Sequence, residues 1–148
     1  MTYKYLRGKC ILIGTAAGGK TALVQSLMSG GREFPKAYNM LNVQEVLLYC
    51  LPGKEIFRQI FSKHIDEADM ILLVFDVTDK KSFEHAISFV NKFRTEECHA
   101  NKPIALVATK IDLRNRRQIS EKEANTQSTE MNIHYFETSA RKIRIAKK

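Results

Sequence analysis

An apolar run, Cys10-Ile-Leu-Ile13, stops at Gly14, and from there the chain reads Gly14-Thr15-Ala16-Ala17-Gly18-Gly19-Lys20-Thr21. This arrangement, G-x-x-x-x-G-K-[ST] after a strand-like run and before a helical one, constrains the fold more than any other feature. The glycines let successive backbone N–H groups wrap an anion, and the start of the following helix adds its positive dipole end. Lys20 is placed to reach β- and γ-phosphates, and the Thr21 hydroxyl to ligate magnesium. Such a loop needs a strand feeding it and a helix leaving it, so the chain must open strand, loop, helix.

The same alternation continues. Residues 21–29 read as a helix with Ala22, Leu23, Leu27 and Met28 inward, ended by Gly30-Gly31. Residues 46–49 read as a second apolar strand. Residues 55–65 carry Ile56, Phe57, Ile60, Phe61 and Ile65 at helical spacing, and 70–77 form a central strand. Residues 82–93 present Phe83, Ala86, Ile87, Val90 and Phe93 as one helical stripe. Residues 104–108 are another strand, Ser120 with Glu123 is a capping box, and 133–136 are the last strand. Strands alternating with helices imply parallel pairing and right-handed crossovers. The expected fold is α/β: one domain over residues 1–148, a central, mostly parallel sheet between two helical layers. Ligands of such sheets bind beyond the carboxyl ends of the strands.

Composition excludes other classes. At 44% hydrophobic and 27% charged the chain is neither disordered nor fibrous. Its longest strictly apolar run, 70–75, is far below the ~20 residues of a membrane span, and the N-terminus lacks the apolar segment of a signal peptide. Cys10, Cys50 and Cys98 are widely spaced and odd in number, which argues for a reducing, cytoplasmic setting and against a disulfide frame or a zinc site. The net charge of +8 gathers at Arg114, Arg116 and Arg117 and at Arg141, Lys142, Arg144, Lys147 and Lys148. It permits anionic partners without choosing among them. No nucleic-acid-binding signature accompanies it, so nucleic acid is not an expected partner.

Two further segments lie at strand ends. Ala108-Thr109-Lys110-Ile111-Asp112 offers a carboxylate that can accept two N–H bonds from the guanine edge, where adenine has no matching donor pair. Each such charged hydrogen bond is worth about 1.5–3 kcal/mol, enough to select the base. Glu137-Thr138-Ser139-Ala140 ends the last strand. Taken in this order, the motifs resemble those of the Ras superfamily of small GTPases, of the Rab-like kind, from about Gly8 to Ala140. That resemblance implies that 14–22, including Ala22, hold the phosphates of GTP or GDP. It implies that Lys110 lays its stem on the base, and that Ser139 and the backbone N–H of Ala140 complete the base site with Thr109 and Asp112. Thr109 stands where Asn is commoner, which is expected to weaken the tie between base loop and phosphate loop. Lys9-Cys-Ile-Leu, Gly19-Lys-Thr-Ala-Leu-Val-Gln25, Phe34-Pro-Lys36-Ala-Tyr38 and Leu51-Pro-Gly-Lys-Glu-Ile-Phe57 are similar to the Rab-like branch of intraflagellar transport complex B.

The departures from the superfamily concern the switch apparatus. Cys50-Leu-Pro-Gly53-Lys54-Glu55 aligns on D-x-x-G-Q-E. Cys50 then replaces the magnesium-side Asp, and a thiol is a poor substitute for an oxygen ligand. Lys54, next to Gly53 at the catalytic position, replaces the Gln that orients water and has no acceptor with which to do so. The stretch from Tyr38 to Cys50 is too short for a switch loop plus a full edge strand and its turn, and 39–42 contain no Thr to sense the γ-phosphate. The residues after Ala140 are too few for the superfamily's long C-terminal helix. No C-terminal Cys is present, so no lipid anchor is expected. Together these predict GTP or GDP binding with weakly held magnesium and slow or no hydrolysis. An apolar sheet face is left for a protein partner, such as another intraflagellar transport subunit, in the cytoplasm or the cilium. Two alternatives are a catalytically silent structural subunit and a shortened form of a complete GTPase. An ATP-using enzyme remains open if Asp112 does not read the base.

Overall fold

The computed structural model describes residues 6–29, 43–50, 64–95 and 101–139, with backbone alone at 6–7, 25–29 and 43–50. The segment 38–42, Gly53, Lys54, the helical spacing over 55–63, Ala140 and 141–148 lie outside the described residues.

The elements run β1 (Leu6–Ile13), α1 (Lys20–Ser29), β2 (Val43–Cys50), β3 (Met70–Asp76), α2 (Lys80–Arg94), β4 (Ile104–Thr109), a 3-10 turn (Arg114–Arg116), α3 (Glu121–Glu130) and β5 (His134–Glu137). Residues 64–66 are also helical. Among the described residues the sheet has five strands in the order β2-β1-β3-β4-β5, and all four pairings are parallel. This is the expected α/β architecture. The sequence places β2 and β4 correctly but too short, and β5 begins one residue later than expected, at His134, because Ile133 bonds back to Ser128 as the chain leaves α3.

Strand alternation divides the core between two faces. Ile11, Ile13, Ile71, Leu73, Phe75, Leu106 and Ala108 point to one face and pack with Phe83, Ala86, Val90 and Phe93 of α2 and with Ala124 of α3. The Phe75 and Phe83 rings meet at 5.0 Å between centroids. Leu12, Val74 and Val107 point to the other face, against Leu23 and Val24 of α1. On that second face Leu72 is half-buried, and Phe136, in register with Val107, is 38% exposed. Contrary to expectation, Ala22 does not face inward; it is exposed on the first turn of α1.

Helix starts are set locally. Asp79 caps α2 by accepting from the Lys81 N–H, and Ser120 caps α3 by accepting from the Glu123 N–H. Lys102 donates to the carbonyls of Ile65 and Asp66 and so closes the helical residues that lead into β3.

Candidate functional site

The loops that follow β1, β3, β4 and β5 all emerge at the carboxyl edge of the sheet. The loop after β1 is shaped by close backbone approach. A Cβ on Gly14 would sit 2.2 Å from the Val74 carbonyl oxygen, so only glycine fits between β1 and β3 there. Gly19 has φ +88 and lies against the Thr109 side chain, 3.1 Å from its hydroxyl at the position a Cβ would take. Ala17 carries φ +60, a conformation that costs a non-glycine residue about 1 kcal/mol. Ala16 and Ala17 are exposed and Gly18 is buried. Lys20 is buried, and its ammonium donates to the carbonyls of Gly14 at 2.8 Å and Thr15 at 2.6 Å, which holds it across the loop it follows. Thr15 Oγ1 is buried without a hydrogen-bond partner among the described residues. Thr21 lies exposed on the first turn of α1.

The loop after β4 is joined directly to this one. Thr109 is 4% exposed, and its hydroxyl stands 2.8 Å from the Gly18 carbonyl and 3.0 Å from that of Phe75. The tie expected to weaken at this position is therefore present. A hydroxyl has one proton, however, so it donates to one of the two carbonyls at a time. Lys110 turns the chain sharply with φ +60. Asp112 is exposed and accepts from the buried Ser139 hydroxyl at 2.6 Å, a contact that joins the β4 and β5 loops. A carboxylate has about four acceptor positions, and Ser139 uses one. Between these loops lies a cleft of about 310 Å³ lined by Gly19, Ala22, Leu23, Thr109, Lys110, Asp112, Leu113 and Thr138.

Glu137, the first residue of the motif that ends β5, is engaged elsewhere. It accepts from the Arg117 guanidinium and from the Tyr135 hydroxyl, the latter at 2.6 Å. Burial would raise its carboxyl, but the bonds from Arg117 and Tyr135 outweigh that and hold it below the ordinary value. Arg117 also donates to the Ile119 carbonyl, so the pair braces the segment after the 3-10 turn against β5. Sequence reasoning missed this pairing, and it missed Asp76. Asp76 ends β3, is 6% exposed, and accepts from the N–H and hydroxyl of Thr78 and from the Lys110 ammonium. An Asp closing a buried strand with Thr two residues later is the signature of a side-chain turn and could have marked it.

Residues 42–147 match the Ras family. The chain belongs to the Ras family. It is 30% identical to intraflagellar transport protein 27 homolog of Mus musculus, over 93% of this chain and 83% of that protein, and the same protein of Homo sapiens gives the same figures. It is 32% identical to Ras-related protein Rab-30 of Homo sapiens, over 90% of this chain and 71% of that protein. The fold is thus a small G domain of the Rab-like kind, and small GTPases of the Ras family in general bind GTP or GDP with Mg2+. The residues on this sheet edge fit the nucleotide: a glycine-bearing loop that admits no Cβ at Gly14, an orphaned Thr15 hydroxyl within it, and a cleft bounded by both loop systems. For the metal the fit is poorer. Thr21 offers one hydroxyl, and no cluster of three or more His, Cys, Asp or Glu among the described residues could hold an ion. Cys50 ends β2 in register with Leu12, two residues before Gly14. No helix among the described residues is long and apolar enough to cross a membrane.

Proposed function

We propose that this Rab-like protein binds GTP and GDP in the cleft between the 14–21 loop and the 109–113 and 138–139 segments, and that it hydrolyses GTP slowly or not at all. The observation that carries the reading is the cleft itself. Its walls come from the phosphate-type loop and from the base-type loops together, and the Thr109–Gly18 and Ser139–Asp112 hydrogen bonds hold those walls in one geometry. In this reading the loop amides, Lys20 and the Thr15 hydroxyl take the phosphates, Lys110 packs along the base, Asp112 accepts its edge N–H groups, and Ala140 meets its oxygen. Thr21 would be the protein's ligand to magnesium. That ion would supply charge neutralisation between β- and γ-phosphates. With Cys50 for Asp it is weakly held.

Slow hydrolysis follows from what phosphoryl transfer requires. The reaction depends on positioning water and stabilising charge. Lys54, beside Gly53, has an ammonium with donors only and cannot orient an attacking water. Removing one preorganised group typically costs about 10²–10³ in rate. Asp112→Ala tests the base assignment. It should abolish GTP and GDP binding without creating ATP binding, and lower the melting temperature by only a few degrees, the scale of the one hydrogen bond lost from the buried Ser139 hydroxyl. Multiple turnover of the unmodified protein should stay at or below about 10⁻⁴ per second. Retained guanine binding in the variant would remove Asp112 from the site, and fast turnover would remove the slow-hydrolysis reading.

A second reading, a structural subunit that keeps nucleotide as a fixed cofactor, is favoured by the half-buried Leu72 and exposed Phe136 on the α1 face of the sheet. That face suits a protein partner. The likeness to intraflagellar transport protein 27 homologs suggests another subunit of that transport machinery, in the cytoplasm or the cilium.

A further inference from the structure

We propose that Asp76 is a positioning residue for nucleotide retention: it anchors the ammonium of Lys110 at the end of β3 and so fixes the Lys110 side chain as a wall of the cleft. The inference rests on the guanine-nucleotide reading above and adds to it a residue that does not touch the ligand. Asp76 pairs with Thr109 in the β3–β4 register, so Lys110 is the first residue beyond the paired strands. Its left-handed backbone turns the chain at that point, and its Nζ lies 2.5 Å from Asp76 Oδ2.

The two partners are unequal. Asp76 is fixed from several sides. Its Oδ1 accepts from the Thr78 N–H at 2.8 Å and the Thr78 hydroxyl at 2.7 Å, and its own N–H donates to the buried Ser82 hydroxyl at 3.0 Å. Its carbonyl accepts from the Asp79 N–H at 3.0 Å, where α2 begins. The Asp76 side chain is 9% exposed and that of Lys110 is 37% exposed. The carboxylate is thus the rigid platform and the lysine the part that would otherwise wander. A long flexible stem that lines a site must be ordered when a ligand packs on it, and ordering it beforehand removes that cost from binding. The ion pair does this at the stem's tip, by holding Nζ on Asp76.

The test is the release rate of fluorescent GDP from the purified protein, measured for Asp76→Asn, Thr78→Val, Lys110→Met and the Asp76→Asn/Lys110→Met pair. Asp76→Asn keeps the Oδ1 acceptor for Thr78 and loses the charge facing Lys110. It should release GDP on the order of tenfold faster, the scale of one charge-assisted hydrogen bond. Thr78→Val should give roughly threefold. The double variant should be no faster than Lys110→Met alone, because Asp76 acts only through Lys110. Rates that multiply in the double variant would assign Asp76 a general structural role and overturn the proposal. If Asp76→Asn does not fold, Thr78→Val combined with Lys110→Met makes the same comparison. A wild-type protein that binds no GDP overturns the guanine-nucleotide reading and this proposal with it. Wild-type binding with an Asp76→Asn release rate that is unchanged overturns this proposal alone.

Discussion

Among the described residues, Asp76, Glu137 and Cys10 contribute to how the protein should respond to pH. Asp76 is buried, Glu137 half-buried, and both are held below the ordinary carboxylate value. Burial opposes this, and the bonds from Lys110 and Thr78, and from Arg117 and Tyr135, prevail. A carboxyl whose folded value is depressed stabilises the fold fully above its unfolded value, and that stability is lost as pH falls toward the folded value. Unfolding free energy should therefore be flat down to about pH 5 and decline progressively below about pH 4.5. Cys10 acts on the other side. Burial in β1 pushes its thiol up to about 11, from an ordinary value of 9.0. An unfolded chain would ionise that thiol first, so stability should also fall between about pH 9 and 11. Denaturant titrations at a series of pH values check both flanks. Cys10→Ala should flatten part of the alkaline flank, and Asp76→Asn part of the acid one. An unchanged alkaline slope in Cys10→Ala would contradict the assignment.

At the scale of elements, the amphipathic helix α2 seats a buried stripe on one face of the sheet. Its buried stripe of Phe83, Ala86, Val90 and Phe93 covers β3 and β4, and Phe83 meets Phe75. Phe83→Ala should destabilise the protein by about 3–5 kcal/mol, read by chemical denaturation, because it leaves a cavity against a strand that cannot close it. A cost under 1 kcal/mol would mean that α2 is not seated as described. This element was legible in the sequence because its stripe is local and strongly periodic. So were the strands read at 10–13, 70–77 and 104–108, continuous apolar segments bounded by turn residues whose observed ends differ by one residue at Asp76 and Thr109. The phosphate-type loop was legible because its glycines are dictated by backbone geometry, as the Gly14–Val74 approach makes plain. What stayed hidden is pairing across distance. Lys110 and Asp76 lie 34 residues apart, and Arg117 and Glu137 lie 20 apart. No local pattern announces that the fold will bring such charges together. Thr109 was read as a weakened tie because its residue type was visible and its distance to Gly18 was not. Ala22 was assigned to the core from a helical period that α1 satisfies only partly at its exposed first turn.

For the whole molecule, the carboxyl edge of the sheet gathers a glycine loop, Lys20 and Lys110, the Asp112 carboxylate and the contacts that lock them together. Among the described residues, the same edge holds no cluster of three or more His, Cys, Asp or Glu that could bind a metal. The protein is a Ras-family domain whose sequence carries a phosphate-type loop over 14–21 and base-type segments over 109–112 and 137–140, and we propose that Cys50 and Lys54 alter its switch chemistry. Its central property should be guanine-nucleotide binding that depends on the protein's own loops far more than on magnesium. The most direct measurement is equilibrium binding of fluorescent GTP, GDP and ATP analogues to the purified protein, each with magnesium and with EDTA. The expected result is binding of both guanine nucleotides, no binding of ATP, and a change of less than about tenfold when EDTA replaces magnesium. Equal binding of ATP, or no nucleotide binding at all, would contradict the assignment of this cleft.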